Sequence, residues 1–409
     1  MRNYKYLVIL VLLLSPFLSK SQDCYNVQLL DGTEPLLSYG MDSTYHWWAV
    51  TAPFTDKQRL HVDGYSSDVY DKVQKPVFSP ATEDWASFVE NNGRVDLITN
   101  DSIYKLNAIR PGEIAYAPMN GDLVYSYFDS EVENIIFKKR KIQVSNRTGK
   151  LYVSLYGRRI AFMGARSGGI VINSGSWEST LYEEVKPFGY WFDGRFMYAA
   201  KNGNSWEVYL NDEAVSQTYQ RIFDLKINQT GNVAAFLAQK FGGSQVGVMI
   251  ADEYYEPMVG KDYDQVTGLA LHPYHSLYAY KAKFNNNFMI VFNTTEYTGF
   301  EEVSTPEFTH NGSELYYIGC NMDCSLGING RNHPIDGQMN VNGNYAIKPE
   351  DMTIAYSSNT SLIVRNLTTD NLSISYMVDR LIPPRYNRFD DRYEALGDIN
   401  NRLYMLYCK

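Results

Sequence analysis

The sequence predicts an all-β fold: a single β-propeller of about eight blades, with seven or nine as the neighbouring counts, closed by N- and C-terminal strands. Three observations carry this. A turn followed by a short strand with an aromatic a few residues in recurs along the chain. Its spacing stays close to 37 residues. The segments between the marks read as strands, and no long helical periodicity competes with them.

The chain has 409 residues and opens "MRNYKYLVILVLLLSPFLSKSQDC", with Arg2 and Lys5 ahead of an apolar run from Leu7 to Leu18. That layout predicts a secretory signal peptide over residues 1–21, cleaved near Ser21. The run contains Pro16 and is short for a bilayer span, so no membrane span is expected in the mature chain. Residues 22–409 are then expected to form the propeller domain, in a secreted or periplasmic protein.

The opening mark is "PVFSPATEDWASF", which turns at Ser79-Pro80 and climbs through Trp85-Ala86-Ser87-Phe88. It returns as "NGDLVYSYF", "YGRRIAFMG", "DGRFMYAAK", "TGNVAAFLAQ", "YHSLYAYKAK", "NGSELYYIG" and "EDMTIAYSS". Taking the turn residue as the marker, Gly121, Gly157, Gly194, Gly231, His275, Gly312 and Asp351 stand 36, 37, 37, 44, 37 and 39 residues apart. A period held that closely signals a repeat architecture. A second apolar strand follows in most units, as in "VDLITN", "GIVINS", "WEVYLN" and "FMIVFN". Each unit therefore supplies a small antiparallel sheet that cannot bury its faces alone and does so by packing on its neighbours.

Two partial units flank the eight: "STYHWWAVTA" near the start and "NNRLYMLYC" at the end. Chain ends that share one blade would remove an exposed sheet edge, and the partial units stand where such closure needs them. Four cysteines in an exported chain invite disulfides. Of the three pairings, one joins near neighbours Cys320 and Cys324 and also joins the two ends, Cys24 and Cys408. A zinc site is the rival for Cys320 and Cys324, but it needs further ligands at suitable spacing, and no second CxxC or HxxxH accompanies them.

"FSPATEDWASFVENNGRVDLITN" resembles the repeat of TolB-like and WD-like propellers, through Phe78, Ser79, Pro80, Ala86 and Phe88. The Asp-Gly that follows Ser-Pro in that pattern is absent here and returns at Asp193-Gly194. The resemblance implies a propeller from about residue 43 onward. It assigns no job, because such propellers include binding partners, caps on peptidases and enzymes.

The net charge of -9 argues against nucleic acid as partner, since phosphate binding needs a basic surface. The one basic cluster, Lys138 to Lys141, follows an apolar strand and reads as a charge-protected strand edge. No Gly-x-Ser-x-Gly elbow is present. His272 and His275, three apart in "LALHPYHS", read as turn residues rather than metal ligands. Asp42, Asp63, Asp193, Glu207, Asp390 and Asp391 could supply the paired carboxylates of a glycoside hydrolase, although a lone turn carboxylate is usually a turn former.

Aromatic residues are the more suggestive feature, with 34 tyrosines in the chain. Tyr and Trp make rigid recognition surfaces. Trp191, Tyr254, Tyr255 and Tyr274 are the candidate partner-binding residues. Trp47 and Trp48, adjacent in a strand, must face opposite sides of it, so at least one is expected in the core. The expected function is non-catalytic binding of a protein or glycan partner through loops between blades, without cofactor or metal; the enzyme-class alternative is a carbohydrate-active propeller.

Overall fold

A computed structural model describes residues 24–175, 177–252, 256–309, 311–335, 345–358, 360–369 and 371–409. The expected signal peptide lies outside the described residues. The described residues divide into a larger unit, within 42–335, and a smaller one, within 24–41 and 345–409.

The described strands form ten antiparallel sheets of four or five strands, so the β-propeller has ten blades where the sequence suggested about eight. In chain order blades 1 to 8 occupy 36–70, 72–108, 110–144, 147–178, 184–214, 221–259, 265–300 and 302–334. Blade 9 occupies 345–374, and blade 10 combines 380–408 with the strand Cys24–Leu30. Within a blade the strands follow one another as an up-and-down meander, which short turns suffice to connect.

Both fragments that looked partial belong to complete blades. The segment "STYHWWAV" leads into Trp47–Phe54, which pairs with Lys57–Val62, and that strand pairs with Tyr65–Tyr70. At the other end, Arg402–Cys408 pairs with Arg392–Ile399 on one side and with Cys24–Leu30 on the other. The undercount comes from reading the two end segments as parts of one shared blade. Their turns carry no glycine: blade 1 uses Tyr45 at φ 70° and blade 10 uses Asp391 at φ 50°, where Gly157 and Gly194, for example, mark blades 4 and 5.

Burial is organised between blades. Consecutive blades of the larger unit each share an apolar cluster. Trp48, Leu60 and Trp85 join blades 1 and 2, and Trp191, Trp206 and Phe236 join blades 5 and 6. Tyr278, Tyr280 and Leu237 do the same for blades 6 and 7. Trp47 and Trp48 are both buried. Between blades 3 and 4 the cluster is joined by a buried ion triad, in which Arg147 grips Glu133 through two bonds of 2.6 and 2.7 Å and reaches Glu113 at 2.9 Å. In the smaller unit, Ala355, Leu362, Ala395 and Leu406 make the shared core of blades 9 and 10.

Both expected disulfides are present, Cys24–Cys408 and Cys320–Cys324. Each joins directly opposed residues of paired strands. The N- and C-terminal strands share a blade as expected, but the N-terminal strand is Cys24–Leu30 and not the segment "STYHWWAVTA", which belongs to blade 1. Two disulfides fit an extracellular or periplasmic setting. Among the described residues no helix is long and apolar enough to cross a membrane. The basic run at Lys138–Lys139 forms the hairpin turn before the outer strand Arg140–Val144, an exposed sheet edge.

Candidate functional site

The marks that reveal the repeat are the turns between the first and second strands of each blade, and the structure shows how they are built. One side chain at the start of the turn accepts hydrogen bonds from the backbone N–H groups beyond it. Ser154 Oγ accepts from Arg158 and Arg159, both at 2.9 Å. Asn228 Oδ1 accepts from Asn232 and Val233 at 3.1 and 3.2 Å. Asp42, Ser79, Thr309 and Asn387 do the same in their own turns. Short polar side chains suit this because they mimic a backbone acceptor.

His272 holds the equivalent place in blade 7. Its Nδ1 accepts from the N–H groups of Tyr274 and His275 at 3.0 and 2.9 Å, so the proton sits on Nε2, which donates to the Gly312 carbonyl at 3.0 Å. Burial, with His275 nearby, pulls its pKa below the usual imidazole value and keeps the ring neutral. Both nitrogens are thereby used in turn architecture. Among the described residues no three His, Cys, Asp or Glu gather as a metal site.

Neighbouring turns are also tied to one another. Met119 N donates to Leu155 O, Phe192 N to Gly231 O, and Gln229 N to Pro273 O, at 2.9, 2.9 and 3.1 Å. Arg159 Nη1 donates to Gly194 O at 2.8 Å. From blade 3 to blade 8 the turns thus form a continuous hydrogen-bonded series. Their outward side chains are held on backbone that both neighbours restrain.

What those side chains present changes along the series. Blades 3, 4 and 5 expose Met119, Tyr156 and Phe192, the last two at 54% and 46%. Between the turns of blades 4 and 5 lies a cleft of ≈ 130 Å³ lined by Tyr156, Arg158, Arg159, Trp191, Phe192 and Asp193, among others. Arg159 is engaged with Gly194 and Asp193 with Arg195. The exposed guanidinium of Arg158 has no partner among the described residues.

Trp191 takes the position that a polar capping residue holds in most other blades. It is only 4% exposed, packed in the apolar cluster of blades 5 and 6, and it contributes to the cleft as part of its lining. Tyr274 is exposed on the blade 7 turn, farther along the same series. Tyr254 and Tyr255 lie outside the described residues. Tyr156, Phe192, Met119 and Arg158 were not singled out from sequence. Their signal was there in the turn register: each follows its capping position by one to four residues.

The candidate carboxylates are occupied structurally. Asp42 caps its turn, and Asp63 meets the His46 ring at 2.5 Å and the Trp47 N–H. Glu207 accepts from Tyr209 Oη at 2.6 Å. Asp390 pairs with Arg392, and Asp391 with Lys348 at 2.6 Å.

No family model matches the chain, and no curated protein matches it in sequence. Several solved structures are similar in fold. A structure described as the eukaryotic initiation factor is 10% identical, with 72% of this chain and 85% of that one covered and a TM-score of 0.45. TolB from Acinetobacter baumannii is 9% identical over 62% of this chain and 75% of its own, with a TM-score of 0.31. The Dos1 propeller is 8% identical over 93% and 94% of the two chains, with a TM-score of 0.40. The propeller assignment rests on the ten sheets themselves.

Proposed function

We propose that this protein is a non-catalytic recognition or scaffolding propeller that binds a protein or glycan partner through the turn face of blades 3 to 5. The observation that carries this reading is the cleft between the blade 4 and blade 5 turns, where exposed Tyr156 and Phe192 flank the unpartnered Arg158. Aromatic and arginine side chains dominate binding hot spots because they offer large, rigid contact area with few rotatable bonds. The turn-to-turn hydrogen bonds supply preorganisation, which lowers the entropy lost on association. Two disulfides support a role outside the cytosol.

The test is affinity capture from the native envelope or medium, run in parallel on a glycan array, with wild type and the Tyr156→Ala/Phe192→Ala double variant. Both side chains are half-exposed at turns, so the variant should melt within a few degrees of wild type. A species retained by wild type and lost by the variant supports the reading. Equal retention by both proteins moves the site elsewhere. Trp191→Ala is unsuitable, because truncating a buried Trp costs roughly 3–5 kcal/mol and confounds binding with unfolding.

A further inference from the structure

A second cleft opens on blade 7, at the end of its strands opposite the turn that bears Tyr274. Strand Gln265–Leu271 pairs antiparallel with Tyr278–Phe284, setting Gln265 against Lys283 and Thr267 against Lys281. The next strand, Asn287–Phe292, sets Phe288 against Lys283. Directly opposed residues share a face, so these five side chains stand together on one side of the sheet. They line a cleft of ≈ 160 Å³. That is well under the roughly 300 Å³ at which drug-sized pockets begin, and suits a single polar group.

Neither lysine is held by a carboxylate among the described residues. Elsewhere Lys57, Lys141, Lys240 and Lys348 each lie against a carboxylate. Lys281 and Lys283 form no ion pair among the described residues. Glu302 of blade 8 is the acidic group whose charge reaches Lys281, without bonding to it. Lys281 Nζ donates to the Val303 carbonyl at 2.7 Å and lies 4.6 Å from the centre of the Phe288 ring. Lys283 Nζ lies 5.3 Å from the same ring. Alternate residues of one strand are roughly 6.6 Å apart by strand rise, so two ammonium groups on one face repel each other.

Lys186 shows which part of this is ordinary packing. It donates to the Ile222 carbonyl of the next blade at 2.7 Å and sits 4.5 Å from the centre of the Trp206 ring. A lysine bridging to a neighbouring blade over an aromatic ring is thus a packing device used twice. Packing accounts for Lys281. It does not account for Lys283, nor for the Thr267 and Gln265 side chains that line the cleft beside it with no hydrogen bond among the described residues.

We propose that this cleft binds an oxyanion, a phosphate, sulfate or carboxylate group carried by a small ligand, through the Lys281 and Lys283 ammonium groups with Thr267 and Gln265 as neutral donors. An anion seated there neutralises two repelling charges at once and gives the Lys281 ammonium group a counter-charge against the burial that lowers its pKa. The site is separate from the turn face, and either can stand if the other fails.

The experiment is calorimetric titration of the intact protein with inorganic phosphate, sulfate and acetate, at ionic strength held constant with chloride. The proteins compared are wild type, Lys283→Gln and Lys283→Arg. Saturable binding of at least one oxyanion is expected, weakened about tenfold in Lys283→Gln, in line with loss of one charge-assisted hydrogen bond, and retained in Lys283→Arg. The same anion should raise the melting temperature of wild type more than that of Lys283→Gln. Preference for phosphate and sulfate assigns a tetrahedral oxyanion group; preference for acetate assigns a carboxylate. Absence of saturable binding by all three ions, or equal binding by wild type and Lys283→Gln, overturns the proposal.

Discussion

The two disulfides join strand partners in the same way, yet Cys24–Cys408 closes a separation of 384 residues and Cys320–Cys324 one of 4. The short one staples a hairpin whose strands are already neighbours in sequence and paired along their length. The long one locks a blade assembled from both ends of the chain, where pairing has to overcome the full entropy of bringing those ends together. In the larger unit, neighbouring blades are joined without covalent help, by shared apolar clusters and by the Arg147 triad. A covalent link therefore contributes most where chain connectivity contributes nothing.

The largest expected effect is that of Cys24→Ser/Cys408→Ser. In the chain-entropy model the loss is about 6 kcal/mol, against about 2 kcal/mol for Cys320→Ser/Cys324→Ser, both measured by denaturant unfolding. Equal losses from the two pairs would break the comparison.

Next comes the non-covalent joint between blades 3 and 4. Glu133→Ala leaves the buried guanidinium of Arg147 with only Glu113 as counter-ion, at an expected cost of roughly 3–5 kcal/mol. Replacing Arg147 and Glu133 together by apolar residues should cost less than Glu133→Ala alone, because no unpaired charge then stays buried. A larger loss in the double variant would show that the triad holds the blades by more than charge balance.

The smallest effects are those of pH, and two turn histidines pull in opposite directions. The hydrogen bond to Asp63 raises the pKa of His46 above its ordinary 6.5. Its contribution is therefore complete below pH 6.5 and lost as pH rises through the folded value. Burial lowers the pKa of His272 below 6.5, so its contribution is present above that pH and lost as pH falls through the folded value. Unfolding profiles between pH 5 and 8 should accordingly flatten on their alkaline side in His46→Asn and on their acid side in His272→Asn. Unchanged profiles in both would remove these residues from the stability balance.

How much of this was legible follows from particular residues. The repeat could be read because the turn between the first two strands of a blade returns at a near-constant spacing, and in five blades it carries a glycine at positive φ. The end segments, whose turns use Tyr45 and Asp391, read as partial units, so the count fell short. The cysteine pairs were legible from compartment and spacing. The candidate site was legible only in kind. Aromatic surplus pointed to recognition, but Trp191 packs into the core, while Tyr156 and Phe192, with no special mark in the sequence, stand exposed beside Arg158.

By itself, then, the sequence determined the repeated antiparallel unit and its approximate period, because turn chemistry and strand alternation are local properties of the chain, and the export signal with four cysteines pointed to disulfides. Only the tertiary structure decided that the units number ten, which aromatics face solvent, and that Lys281 and Lys283 share a cleft with Thr267 and Gln265. Those outcomes depend on which strands pair and which sheet faces meet a neighbour, and packing between residues distant in sequence settles both.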